Sequence, residues 1–239
     1  MEVINYLLGY KNLKIYQNTD MFNFSLDSVL LPGFIKINKN TKKILDIGTG
    51  NAPIPLILST KTNAQIIGIE IQKEVYDLAQ KTIKLNNLEK QITIMNGDIN
   101  ELKATFPINS FDIITCNPPF FKVSENSNLN KNDYKTIARH EVKLNIDQIC
   151  MTAKTLLKNG GIIGLVHRPE RLTDIIKTMR NYNLEPKKIQ FVHPRPDENA
   201  NIVLIESVLN GKPGVKILPP LISHQANGEY TDQIKKYFE

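Results

Sequence analysis

Residues 43–50 read Lys43-Ile44-Leu45-Asp46-Ile47-Gly48-Thr49-Gly50, and this stretch decides the fold. A short apolar run ends in two glycines. Pro53 and Pro55 follow, and a helix tolerates prolines only in its first turn. A buried strand that turns through glycines into a helix opens a βαβ unit. Working outward, the pattern repeats. Gln65–Ile71 predicts a second strand. Lys73–Leu85 predicts a helix, with Val75, Leu78, Ala79, Thr82 and Ile83 at helical spacing. Ile92–Met95 is a third strand, stopped by Asn96-Gly97-Asp98. Phe111–Cys116 is a fourth, stopped by Asn117-Pro118-Pro119. Ile146–Leu157 reads as a helix capped by Gly160-Gly161, and Ile162–Val166 as a fifth strand. After a helix over Leu172–Tyr182 come two strands, Lys188–Val192 and Ile202–Val208, joined by HPRPDENA.

Strands alternating with helices give a mostly parallel sheet. The last two strands have no helix between them, and so short a loop cannot make a parallel crossover. The expected fold is therefore α/β: a doubly wound, seven-stranded, Rossmann-like sheet, mostly parallel, with the last strand antiparallel. Residues 1–41 form an N-terminal extension and residues 42–239 the α/β domain, a single domain in all. Residues 122–140 make a polar, Asn- and Lys-rich loop longer than a compact fold needs, and such loops usually carry function.

Composition bounds the partners. The 239 residues carry 30 Lys+Arg against 24 Asp+Glu, a net charge of +6, and suffice for a real core. No apolar run approaches a membrane helix, and the N-terminus shows no signal-peptide pattern. Two cysteines, Cys116 and Cys150, fit a reducing cytoplasm. Most of the basic excess is lysine. An AT-rich genome produces that bias, and so does selection for an anionic partner such as nucleic acid. The four histidines, His140, His167, His193 and His224, make no metal-ligand spacing, so no metal is expected.

The glycine turn suggests a cofactor. A dinucleotide fingerprint wants a third glycine where Pro53 stands. Asp46, two places before Gly48, would repel a pyrophosphate but suits an ammonium group. The local chemistry thus favours a cationic ligand such as S-adenosylmethionine. Glu70 ends the second strand and is placed to grip ribose hydroxyls. Asp98 follows the third strand, where it can accept from an adenine amine. Each acid also serves as a helix cap, but all three fall at the carboxyl ends of consecutive strands, where α/β sheets bind ligands.

A second constellation follows the fourth strand. In Asn117-Pro118-Pro119-Phe120 the prolines fix the backbone, freezing the Asn117 side chain and the Pro118 carbonyl as acceptors. A planar NH2 group satisfies both, and its lone pair is then released from conjugation. Phe120 offers a face for a flat base. Cys116 ends an apolar strand and reads as a small core residue. Arg168, Arg171 and Arg195 follow late strands, where arginine meets phosphate or solvent equally well. The pairs Lys42-Lys43 and Lys187-Lys188 precede strands and read as solvated.

The DIGTG turn, the strand-end Glu70, the NGD turn and NPPF resemble the Rossmann-like S-adenosylmethionine-dependent methyltransferases that act on amino groups. The resemblance spans roughly residues 15–210. The segment Phe22–Leu31, NPPFF, Ala138-Arg139-His140 and Gly228-Glu229-Tyr230 are similar to the tRNA adenine-N6 methyltransferases that modify position 37 of valine tRNA. This resemblance implies that Asp46, Gly48 and Gly50 hold the methionine part of the cofactor, Glu70 the ribose and Asp98 the adenine amine. Phe24–Leu31, with Asp27, would cover it. Asn117 and the Pro118 carbonyl would hold the substrate amine and Phe120 would stack on its ring. Pro119, Phe121, Arg139, His140 and Arg195 would face the substrate. It implies direct methyl transfer to an adenine N6 in the tRNA anticodon loop, with the base flipped out. A guanine-N2 rRNA enzyme, a release-factor glutamine methyltransferase and a non-catalytic nucleotide- or RNA-binding module are the competing readings.

Overall fold

The structure is a computed structural model and describes residues 1–20, 25–118 and 144–238. The strands are β1 (Glu2–Leu7), β2 (Tyr10–Asn18), β3 (Lys43–Ile47), β4 (Gln65–Glu70), β5 (Ile92–Asn96), β6 (Phe111–Cys116), β7 (Leu157–His167), β8 (Leu184–His193), β9 (Ile202–Leu209), β10 (Lys216–Ile217) and β11 (Leu221–Ile222). The helices are α1 (Leu26–Phe34), α2 (Pro53–Lys61), α3 (Lys73–Leu85), α4 (Ile99–Leu102), α5 (Ile146–Leu156), α6 (Leu172–Asn181) and α7 (Asp232–Lys235).

The main sheet runs β10-β8-β9-β7-β6-β3-β4-β5, with β11 also on β8. Strands β5, β4, β3, β6 and β7 are mutually parallel, and β9 is antiparallel to both β7 and β8. The seven expected strands are therefore present in a nine-stranded sheet, the extra two being two-residue pieces on β8. Alternate side chains on each parallel strand enter different cores, as a period of two requires. Ile44, Ile66 and Ile113 pack with α1, α2 and α3 on one face. Leu45, Ile69 and Ile114 pack with α5 and α6 on the other. Burial on both faces is why these strands read as apolar runs.

One boundary differs from the sequence reading. Gly160-Gly161 does not cap the helix. Helix α5 ends at Leu156, and Leu157 is already extended, with φ −69° and ψ 140°. Strand β7 then runs through both glycines. Pairing with β6 jumps from Phe111↔Leu157 to Ile113↔Ile162, so the extra residues bulge, and Gly160 takes φ +76° to allow it.

The N-terminal extension contains a hairpin and a helix. Strands β1 and β2 pair only with each other, and β2 is fastened to α3: Tyr16 N donates to Thr82 Oγ1 at 3.0 Å and Lys14 N to Asn86 Oδ1 at 3.0 Å. Helix α1 lies against β7, where Gly164 leaves room for it; a Cβ there would stand 2.3 Å from Ile35 Cγ2. At its far end, Lys188 Nζ bonds Phe34 O at 2.6 Å and Glu206 Oε2 at 3.0 Å, while Glu206 also accepts from Lys36 N at 2.7 Å. Lys188 is thus a partly buried anchor and not the solvated lysine its pairing with Lys187 suggested. Lys43 likewise stacks, with Nζ 4.7 Å from the Phe111 ring centre.

Candidate active site at the carboxyl edge of the sheet

The chain order reverses between β3, which neighbours β4, and β6 on its other side. At such a switch point the loops diverge and leave a crevice. The register brings Ile47 level with both Ile69 and Cys116, and Glu70 level with Asn96. The strand ends carrying Asp46, Glu70, Asp98 and Asn117 therefore share one edge.

The turn after β3 is tightly held. Gly48 and Gly50 take φ +68° and +59°, and Ala52 takes +72°. A non-glycine residue rarely accepts such a backbone, and the strain sits at the entrance to α2. Thr49 N bonds Ile69 O at 2.9 Å, Gly50 N bonds Glu70 Oε2 at 3.0 Å and Asn51 Nδ2 bonds Tyr16 O at 2.8 Å. A Cβ at Gly50 would meet no atom within 4 Å, so the turn is open to a ligand.

Two buried carboxylates face this turn. Asp46 is 1 % exposed; Oδ1 accepts from Thr115 Oγ1 at 2.6 Å, whereas Oδ2 has no hydrogen-bond partner among the described residues. Burial pushes the Asp46 carboxyl up to about 7, against the Thr115 and Thr49 hydroxyls and helped by the nearby Glu70 charge. Glu70 is raised by burial too, opposed by the N–H groups of Gln72 and Gly50 that it accepts. Leaving a buried acceptor unpaired is costly, and two anions in one crevice favour a cation between them. Asp98 behaves as a cap: its Oδ1 accepts from Asn100 N at 2.8 Å and opens α4.

The end of β6 meets α1. Asn117 Nδ2 donates to Ser28 Oγ at 3.0 Å, and Pro118 is buried. Next to Ser28, Asp27 is 6 % exposed; burial raises its carboxyl, opposed by the charge of Arg168 and a hydrogen bond from Ser25. Arg168 Nη1 donates to Asn201 O at 2.6 Å. Arg195 pairs with Glu198 at 2.9 Å in the exposed β8–β9 turn. Cys116 is fully buried and burial raises its thiol well up, in keeping with a core residue.

The edge thus gathers Asp46, Gly48, Gly50, Glu70, Asp98, Asn117, Pro118 and, from α1, Asp27. Pro119, Phe120, Phe121, Arg139, His140 and Phe24 lie outside the described residues. Sequence reasoning missed Thr115 and Asn51, and took Ser28 only as part of the covering segment Phe24–Leu31. Thr115 had a legible signal, since it precedes Cys116 by one and so points to the other face from it; Asn51 and Ser28 act through contacts 35 and 89 positions away. Among the described residues no group of three or more His, Cys, Asp or Glu side chains is arranged to hold a metal, and no helix is long and apolar enough to cross a membrane.

Comparison with known proteins agrees with this geometry. A tRNA1(Val) (adenine(37)-N6)-methyltransferase of Porphyromonas gingivalis is 28% identical over 98% of this chain and 93% of its own length. One from Flavobacterium psychrophilum is 27% identical over 83% of this chain and 84% of its own. Among solved structures, a predicted O-methyltransferase of Agrobacterium tumefaciens superposes with a TM-score of 0.70 at 19% identity, covering 89% of this chain and 95% of the other. Residues 38–213 match the family described as a methyltransferase domain, and with that match over most of its length the chain belongs to that family.

Proposed function

We propose that this protein transfers a methyl group from S-adenosylmethionine to the N6 amine of an adenine in tRNA, at position 37 beside the anticodon, in the cytoplasm. The observation that carries the reading is the adjacency of two unlike sites. The buried, half-unpaired Asp46 carboxylate lies at the end of β3, and the Asn117 amide lies at the end of β6, the next strand across. Neighbouring strands are about 4.8 Å apart, so a cation held at one site stands beside an amine held at the other. The names of the relatives from P. gingivalis and F. psychrophilum support the same chemistry and substrate.

The residues fit the cofactor. Asp46 Oδ2 offers the orphan acceptor that an ammonium group needs, and the open Gly50 turn admits a ligand to the backbone. Glu70 and Asp98 complete the crevice toward ribose and adenine. When bound, S-adenosylmethionine supplies a methyl group on a positively charged sulfur, whose bond breaks as the bond to the substrate nitrogen forms. Asn117 Oδ1 and the Pro118 carbonyl would accept hydrogen bonds from the two amine N–H groups and turn the lone pair out of the ring; after the nitrogen–methyl bond forms, one of those protons leaves to solvent. The protein's contribution is mainly positioning, and no covalent enzyme intermediate is required. Residues 1–41 would cover the cofactor through Asp27 and the rest of α1. Pro119, Phe120, Phe121, Arg139, His140 and Arg195 would face the flipped base and its strand, and flipping costs little in a single-stranded loop.

The test is direct. The protein is incubated with labelled S-adenosylmethionine and bulk tRNA, and tRNA nucleosides from cells with and without the protein are compared by mass spectrometry. N6-methyladenosine that appears only with the protein supports the reading. Label entering a release factor or rRNA instead of tRNA overturns it.

A further inference from the structure

We propose that Ser28 is a positioning residue for methyl transfer: its hydroxyl holds the Asn117 amide with Nδ2 turned away and Oδ1 free for the substrate amine. This rests on the reading above in which Asn117 accepts from that amine. The donor and acceptor ends of an Asn side chain are nearly the same size, so packing alone does not choose between them. With the amide reversed, its NH2 would face the substrate NH2, donor against donor. With Oδ1 toward the substrate, Nδ2 becomes a partly buried donor that needs a partner of its own, and an unmet donor costs more than the bond is worth. Ser28 Oγ provides that partner at 3.0 Å; a serine hydroxyl can meet either end of an amide, so the substrate NH2 excludes the reversed orientation and Ser28 satisfies the end turned away.

The hydroxyl is well placed to do so. Ser28 is 5 % exposed and sits in the first turn of α1, with its N–H bonded to Ser25 O at 3.1 Å. The helix beneath it is fixed at three points: Gly164 under Ile35, Glu206 on Lys36 N, and Lys188 on Phe34 O. The prolines that follow Asn117 restrict the backbone on the other side. Both partners are thus held by the fold before any ligand arrives, which is what positioning requires.

The experiment measures kcat, the KM for tRNA and the dissociation constant for S-adenosylmethionine in four proteins: wild type, Ser28→Ala, Asn117→Ala and the double variant. Thermal unfolding of each checks the fold, which alanine in a helix should preserve. The expected result is a fall of about three- to tenfold in kcat for Ser28→Ala, the worth of one neutral hydrogen bond, with unchanged cofactor affinity. Ser28→Thr, which keeps a hydroxyl, restores most of the loss. In the Asn117→Ala background, Ser28→Ala costs nothing further. A Ser28→Ala enzyme with wild-type kcat, or an equal loss in both backgrounds, overturns the positioning role while leaving that of Asn117 standing. Wild-type kcat in Asn117→Ala itself overturns both.

Discussion

Asn117 Nδ2 and Ser28 Oγ are 3.0 Å apart in space and 89 positions apart in sequence. The bond joins the loop after β6 to the first turn of α1, so in the proposed reading the part that would face the amine is tied to the part that would flank the cofactor. On that reading, removing Asn117 leaves Asp46 and Glu70 in place and takes away one of two acceptors at the amine.

Asn117→Ala is expected to lower kcat by about 10²-fold, in the range found when one preorganised hydrogen-bonding group is removed from an active site. Affinity for S-adenosylmethionine stays within about twofold. Single-turnover rates and isothermal titration separate the two quantities. A large loss of cofactor binding with normal turnover at saturation would place Asn117 in the wrong subsite.

If Asp46 holds the ammonium of the cofactor as proposed, cofactor binding depends on pH. Its carboxyl is raised to about 7 by burial, so in the free protein it gains its negative charge only as pH rises through neutrality. A ligand ammonium binds the ionised form, and affinity should climb between pH 6 and 8 and then level. Stability moves the other way. The folded carboxyl holds its proton more firmly than the unfolded one, so its stabilising share is present below about pH 4 and is lost as pH rises through about 7. Asp46→Asn should flatten both profiles and weaken cofactor binding. Titration calorimetry and the melting temperature of the cofactor-free protein across that range provide the check.

Lys188 and Glu206 anchor the far end of α1 at 3.0 Å, with side chains 22 % and 8 % exposed. Removing one partner strands the other charge, so Lys188→Met should cost about 3 kcal/mol in urea denaturation, the low end of the range for buried pairs. The double variant with Glu206→Gln should recover part of it. Without the stranded carboxylate, only the Phe34 carbonyl loses its partner, because the glutamine carbonyl still accepts from Lys36 N.

Gly9 and Phe238 close the two chain ends on each other. Gly9 takes φ +79°, and a Cβ there would stand 2.1 Å from Phe238 Cβ. Nearby, Tyr10 Oη donates to Tyr237 O at 3.0 Å and Tyr237 Oη to Gln190 Oε1 at 3.1 Å. Gly9→Ala combines backbone strain with a collision and should lower stability by about 2 kcal/mol or more. Calorimetric melting of the variant beside a neutral change at exposed Ile108 gives the comparison.

These contacts explain what the sequence could and could not convey. The parallel strands were legible because burial on both faces makes each an apolar run, and the glycine and proline stops placed Asp46, Glu70 and Asn117 at their ends. The hairpin β1–β2 was not: its outer strand exposes Ile4 and Tyr6, so no alternation marks it, and its seat depends on Thr82, Asn86 and Phe238 far along the chain. Helix α1 was hidden by Pro32 and Gly33 within it, and what holds it is Lys188 from the other side of the fold. Local signals set the edge of the sheet, and distant pairings supplied Ser28.

The net charge of +6 becomes a question of place. The crevice itself is acidic, so an RNA partner must be met by cations around it, and Arg195 is one that the exposed β8–β9 turn presents, held by Glu198 at 2.9 Å. If Arg195 touches a phosphate, log K for tRNA should fall linearly with log salt, and Arg195→Ala should make that slope shallower by roughly 0.7–0.9. Glu198→Ala, which frees the guanidinium, should tighten binding at low salt. Filter binding over a salt series reads all three effects. Affinity that does not change with salt would remove nucleic acid from the list of partners, and an unchanged slope in Arg195→Ala would return this turn to solvent.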